Sequence, residues 1–329
     1  MRKLTLILLM FFSLFSTACV EIDPSLKRPT VYVIYPIEGL GDMGYVDKLY
    51  KGAVNAGIKN EIEIKHLMPS SLAEARLYLN TLANEPDIKV PHLYIIAEST
   101  IENEVEAIID ESSNKSRKSF LIWETSHTYK NASSVKLSMY GISYIAGKLA
   151  AKMEDVESVC IMKANPFVSA LDEAEDGFID GFGNSGETET LLLSGEPGRG
   201  FSLSSELYRT GPEFNKYDII LPLCGGSSNG LIRYCREYPD DSFYTIGIDA
   251  DMSMYSSKVP FSCVKHTDLA IELCIEQWLN GTLSQHQVMG LNEGMTEVII
   301  SPSYLDDFED YLQLINNEAI NEENKYENK

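Results

Sequence analysis

Two glycine-rich loops and a few acids and bases at strand ends are the residues of this chain best placed to do chemistry. The stretch Gly225-Gly226-Ser227-Ser228-Asn229-Gly230 contains G-x-S-x-G from Gly226 to Gly230. That is the pattern of a nucleophile elbow, with Ser228 as candidate nucleophile. Asp249 and His266 follow in the hydrolase order Ser, Asp, His, although no His-Gly-Gly oxyanion segment stands upstream. The other reading is a loop that opens a helix, where free N–H groups bind a polar or anionic ligand group. Gly225 and Gly226 would then line a ligand site. The first loop, Glu38-Gly39-Leu40-Gly41-Asp42-Met43-Gly44-Tyr45, follows the first strand. Open α/β sheets bind ligands at such positions. Its glycines have dinucleotide spacing, but no acid ends the second strand near position 67, where a ribose-binding carboxylate belongs. Asp42 either caps the next helix or faces a cleft with Tyr45, whose flat ring and polar tip suit a ligand.

Asp249 ends the strand-like run 242–249, and Asp251 follows it. A carboxylate at a buried strand end costs desolvation unless it is used. It suits a two-bond hold on a sugar-like diol, or else caps a loop. Lys265 ends the run 259–265 and either meets a polar ligand or pairs with Asp249 or Asp268. His66, His92, His127, His266 and His286 are scattered without ligand spacing, so no metal or other cofactor is expected.

These residues need a scaffold. Strand-length apolar runs lie at 31–37, 62–67, 92–97, 119–124, 158–163, 188–194, 217–224 and 242–249, with β-like segments at 259–265 and 295–301. Helix-period stretches lie between them near 45–58, 71–83, 101–112, 138–153, 168–182, 227–236 and 267–280. Continuous apolar strands alternating with helices imply parallel sheets covered on both faces. The length suits two doubly wound parallel-sheet lobes, an α/β fold. Strands in both halves end in ligand-type residues, so a cleft joined by a hinge should face both sets. The expected lobes are 30–126 plus 248–280, and 127–247 plus 281–318. Residues 319–329 read as a disordered tail.

The N-terminus carries an address. Arg2 and Lys3 precede an apolar run from Leu4 to Phe15, then Ser16-Thr17-Ala18-Cys19. This reads as a signal peptide, residues 1–18, with Cys19 as a lipidation site and 19–29 as a tether. Ser16 stands where a lipobox normally has Leu; the bland reading is an ordinary cleaved signal. Acyl chains on Cys19 would hold the chain on the cell envelope, facing the periplasm or the outside. The 311 residues from Cys19 carry a net charge of −24, against the basic surface that nucleic-acid binding needs. Five cysteines remain beyond Cys19, widely spaced and mostly within apolar runs, so at most one disulfide is expected.

The pieces, in order, resemble the basic membrane protein family of nucleoside-binding lipoproteins. The resemblance is carried by Gly41-Asp42-Met43-Gly44-Tyr45-Val46-Asp47 and by Tyr140 to Met153, similar to the family's YLAGYLAAKM helix. It continues through Asp176-Gly177-Phe178-Ile179-Asp180-Gly181-Phe182, the Gly225-Gly226 loop, Ile246 to Asp251, Val264 to Ala270, and Gly290-Leu291-Asn292-Glu293-Gly294. It implies a type I periplasmic-binding-protein fold with three hinge crossings, and a monomeric binding protein rather than an enzyme. It also implies a purine nucleoside between the lobes, Tyr45 stacked on the base, an ABC permease as partner, and Asp249 with Glu124 on the ribose, Lys265 and Gly226 being nearby. Glu124 stands where the family has Asp, and Phe178 joins the expected ligand-binding set. Val46 replaces the family's Asn. A binding or sensing lipoprotein of the same fold for another ligand is the alternative.

Overall fold

The computed structural model describes residues 28–86, 88–111, 117–240 and 242–328. The signal peptide and Cys19, with the tether as far as residue 27, lie outside the described residues.

The first sheet contains β1 (Thr30–Ile34), β2 (Glu63–Leu67), β3 (His92–Ile96), β4 (Lys118–Trp123), β5 (Ser133–Leu137) and β12 (His286–Met289). Its order is β12-β5-β4-β3-β1-β2, parallel throughout. The two-residue period of β1 divides its side chains between two cores. Val31, Val33 and then Tyr35 face helices α1 (Tyr45–Asn60) and α8 (Thr267–Leu279), while Tyr32 and Ile34 face α2 (Leu72–Ala83) and α3 (Glu102–Glu111).

The second sheet starts with β6 (Ser158–Lys163), β7 (Glu187–Leu192), β8 (Ile219–Leu223) and β9 (Tyr244–Thr245), ordered β7-β6-β8-β9. The Ile246 N–H donates to the Ile220 carbonyl at 2.9 Å and carries the pairing on to β10 (Gly247–Asp249). There β10 pairs with β11 (Phe261–Lys265), and β11 with the antiparallel β13 (Thr296–Ile300). Helices α4 (Tyr140–Lys152), α5 (Ser169–Phe182) and α9 (Leu305–Glu327) cover one face. Helices α6 (Ser204–Thr210) and α7 (Ser228–Glu237) cover the other. The chain passes between the sheets three times: after β5, after β11 and after β12.

Strand pairing moves the expected lobe boundaries. β5 and β12 belong to the first sheet, and β10 and β11 extend the second. The cause is β5, whose Ser133-Ser134-Val135-Lys136-Leu137 does not read as an apolar run. Its polar groups are buried with partners: Ser134 Oγ lies 2.8 Å from His286 Nδ1, and Lys136 Nζ lies 2.8 Å from Glu173. The expected disordered tail is a second correction. Residues 319–327 complete α9, with Ala319 and Glu323 buried and Glu327 paired with Lys136 at 2.7 Å. One of its acids, Glu327, meets the buried cation Lys136, which composition alone does not reveal. Cys160, Cys224, Cys235, Cys263 and Cys274 are free and buried. No helix among the described residues is long and apolar enough to cross a membrane.

Candidate ligand-binding cleft

A cavity of about 320 Å³ lies between the C-terminal ends of the strands of the two sheets. From the first sheet it is lined by Asp42, Tyr45, Val46, Glu98 and Glu124; from the second, by Phe201, Gly225, Gly226, Asn229, Asp249 and Lys265. The sheets touch across it. Asn229 Nδ2 donates to the Asp42 carbonyl at 3.0 Å, and a Cβ on Gly226 would stand 3.1 Å from the Asp42 Cα. This is a closed arrangement.

The Asp42 carboxylate accepts the N–H groups of Gly44, Val46 and Asp47 at 3.0, 2.8 and 3.1 Å. It caps α1, where an acid also suits the helix dipole. Asp47 in turn accepts the N–H groups of Gly41 and Met43 at 2.8 and 2.9 Å. The loop therefore braces itself, and the cap fixes Tyr45 at the first helical position. Val46 is 5% exposed and offers this wall an aliphatic surface.

Two acids are held in unusual backbone conformations. Glu124 has φ 60° and Asp249 has φ 63°, the left-handed region that non-glycine residues rarely enter. Such strain clusters where the surrounding structure over-determines it. At Asp249 the restraint is visible: Lys48 Nζ donates to the Asp249 and Lys265 carbonyls at 2.8 Å each. Glu124 pairs with Lys265 at 2.6 Å, both side chains buried. The same ammonium lies 5.1 Å from the centre of the Tyr45 ring, a cation–π distance. Lys265 thus takes Glu124 as its partner, not the expected Asp249 or Asp268.

The Asp249 carboxylate is the group left open toward the cavity. The residue is 9% exposed, and burial pushes its pKa up to about 6, with Lys265 pulling the other way. Burial and the neighbouring Glu124 and Asp249 raise the Tyr45 hydroxyl, which stays protonated and able to donate.

Seven of the eight expected ligand residues line this cavity: Asp42, Tyr45, Glu124, Gly225, Gly226, Asp249 and Lys265. Phe178 does not. It is fully buried in the core of the second sheet, stacked on Phe182 at 5.9 Å. The aromatic that the second sheet contributes is Phe201, which packs against Gly225. No strand-end or repeat signal marks Phe201 in the sequence. Glu98 is different: it follows β3 as Glu124 follows β4, so the rule that singled out Asp249 would have found it. Its carboxylate accepts the N–H groups of Ile37 and Thr100 at 2.9 Å each.

The hydrolase arrangement does not assemble. Ser228 is buried with its hydroxyl donating to the Gly225 carbonyl at 2.7 Å, and His266 lies 2.8 Å from Glu297, away from the cavity lining. Among the described residues no group of His, Cys, Asp and Glu is arranged to hold a metal ion.

Comparison with known proteins agrees with this geometry. Residues 30–329 match the Bmp family, described as ABC transporter substrate-binding protein PnrA-like. A solute-binding protein of an ABC transporter system from Aeropyrum pernix K1 is 17% identical, with a TM-score of 0.70 over 82% of this chain and 76% of that one. A transcriptional activator of the comK gene from Bacillus halodurans is 16% identical, with a TM-score of 0.68 over 88% and 96% of the two chains. A 5-methylthioribose transporter solute-binding protein from Thermotoga lettingae is 12% identical, with a TM-score of 0.64 over 87% and 91%. At these identities the likeness is one of fold. No curated protein matches the chain in sequence. The family match spans every described element from β1 to α9, and the chain belongs to the Bmp family of ABC transporter substrate-binding proteins.

Proposed function

We propose that this chain is a lipid-anchored solute-binding protein that captures a purine nucleoside in the cleft and presents it to an ABC permease. Substrate-binding proteins of this family work outside the cytoplasm, on small molecules. The observation that supports the ligand assignment is that two aromatics and an open acid line one cavity: Tyr45 and Phe201 from opposite sheets, and Asp249. Aromatic faces favour a flat base, at about 1–3 kcal/mol per stacked base. A carboxylate accepts both hydroxyls of a ribose diol. The cavity volume falls in the ordinary range for small-ligand sites.

Titration calorimetry on the mature protein with adenosine, guanosine, inosine, uridine and free ribose tests this. The purine nucleosides should bind tightest. A second reading is a sugar without a base, favoured by the Asp249–Lys265 end of the cavity and by the fold shared with the 5-methylthioribose protein. Ribose binding as tightly as adenosine would select it, and silence from every nucleoside at millimolar concentration would remove the nucleoside reading. For the anchor, Cys19→Ser in the full-length chain should move the protein from the membrane fraction to the soluble fraction. Unchanged fractionation would refute lipidation.

A further inference from the structure

The last turns of α9 reach the hinge. Glu323 is 4% exposed and does not line the cavity. One of its carboxylate oxygens accepts the Leu291 N–H at 3.0 Å, in the third passage between the sheets. A Cβ on Gly141, just beyond the first passage, would stand 2.6 Å from its other oxygen. Gly290 is equally crowded by it. One carboxyl group therefore fills the space between two of the three connections.

Its neighbours extend the network. Glu173 of α5 accepts the Ser138 hydroxyl and the Met139 and Tyr140 N–H groups at 2.9, 2.8 and 3.1 Å. Lys136, on the first sheet, pairs with Glu173 at 2.8 Å and with Glu327 at 2.7 Å. Glu293 accepts the Gly290 N–H at 2.8 Å. Tyr326 stacks on Tyr140 with ring centres 4.3 Å apart and donates to Asp176 at 3.0 Å, and Tyr140 donates to Asp180 at 2.6 Å. Of these charged and titratable groups on β5, α4, α5, the 290–295 turn and α9, Glu173 is the one whose charge acts on Glu323 directly.

We propose that Glu323 is a positioning residue for the hinge: through it, the end of α9 clamps the first and third passages in the closed arrangement, and releasing it opens the cleft. Hinge motion is absorbed by backbone rotation at a few residues between elements. Here those residues are 138–140 and 290–295; Glu173 holds the amides of Met139 and Tyr140, and Glu323 holds that of Leu291. Rotation has to break these bonds or drag α9 along. A partly satisfied buried carboxyl is costly, so the network responds to small changes.

The charge state supplies a readout. Burial pushes the Glu323 pKa up to about 7; the hydrogen bond from the Leu291 N–H opposes this, and Glu173 adds to it. A carboxyl raised in this way stabilises the clamped form below its ordinary pKa and loses that contribution as pH rises through 7. The hinge should therefore loosen as pH rises from about 4.5 to about 7 and change little above that.

The test needs no ligand, so it is independent of the nucleoside reading. Hydrogen exchange at 138–141 and 290–295, corrected for the chemical rate, is compared across this pH range with small-angle scattering. An Asp249→Asn background removes the acid that titrates in the cleft. Exchange should accelerate by about tenfold as pH rises, with a larger radius of gyration. Glu323→Gln should abolish the pH response and stay compact. Glu323→Ala should exchange rapidly and be expanded at every pH. If the alanine variant does not fold, the glutamine variant alone decides. The same pH response with and without Glu323→Gln, or a compact Glu323→Ala, overturns the proposal.

Discussion

Asp249→Asn is expected to weaken nucleoside binding by about tenfold or more while leaving the empty protein at least as stable as its parent. A hydrogen bond to a charged group contributes about 1.5–3 kcal/mol. Losing that contribution lowers affinity roughly ten- to hundredfold. Asparagine is the informative replacement because it tolerates the left-handed backbone that Asp249 occupies at φ 63°. The stability half of the expectation follows from the raised pKa. A carboxyl moved from 3.8 to about 6 disfavours its own ionised form in the folded chain, on the order of 3 kcal/mol at neutral pH. The sign is that of a raised acid: its stabilising contribution is full below pH 3.8 and is lost as pH rises through about 6. Removing the charge should therefore raise the melting temperature of the empty protein at pH 7.5. Binding has the opposite dependence, since a diol needs the ionised acceptor. Affinity should be flat above about pH 6 and fall roughly tenfold per pH unit well below it. Calorimetry from pH 5 to 8, with parallel melting curves, measures both. A lower melting temperature with unchanged affinity would make Asp249 a structural residue and remove it from the site.

Much of this was legible in the sequence because strand ends and loops obey local rules. Continuous apolar strands announced the parallel sheets, and the residues that end them announced the cleft. What escaped detection depended on partners distant in the chain. β5 reads as polar until Lys136 meets Glu173 and Glu327, which lie 37 and 191 residues further on. The end of α9 reads as frayed for the same reason. Phe201 sits in a loop whose aromatic gains meaning only when the two sheets face each other. Phe178 misled in the opposite direction: its segment resembles a family motif, and the chemistry behind that motif is steric.

Gly181→Ala shows what that chemistry is, and it should destabilise the protein by roughly 2 kcal/mol or more. In an ordinary helix interior the same change stabilises by about 1 kcal/mol, because glycine is the poorer helix former. Here α5 lies with its backbone against α4. A Cβ on Gly181 would overlap the Tyr144 carbonyl oxygen, one on Gly177 the Tyr140 carbonyl oxygen, and one on Gly147 the Phe178 carbonyl oxygen. The struck atoms are backbone in all three cases, so no side chain can rotate aside. The spacing of four between Gly177 and Gly181 repeats the spacing of four between Tyr140 and Tyr144, which keeps the two helices in contact for more than one turn. Overpacking costs about 1–3 kcal/mol even where side chains yield. To accept a methyl group α5 must move off α4, and Phe178 and Phe182 would leave the core they fill. Gly195→Ala is the control: a Cβ there meets nothing within 4 Å, and the change should stay within about 0.5 kcal/mol. Urea unfolding of the two variants beside the parent decides the matter. A Gly181→Ala protein as stable as the parent would mean that the helices are not in backbone contact, and that the Gly177–Gly181 pair serves something other than packing.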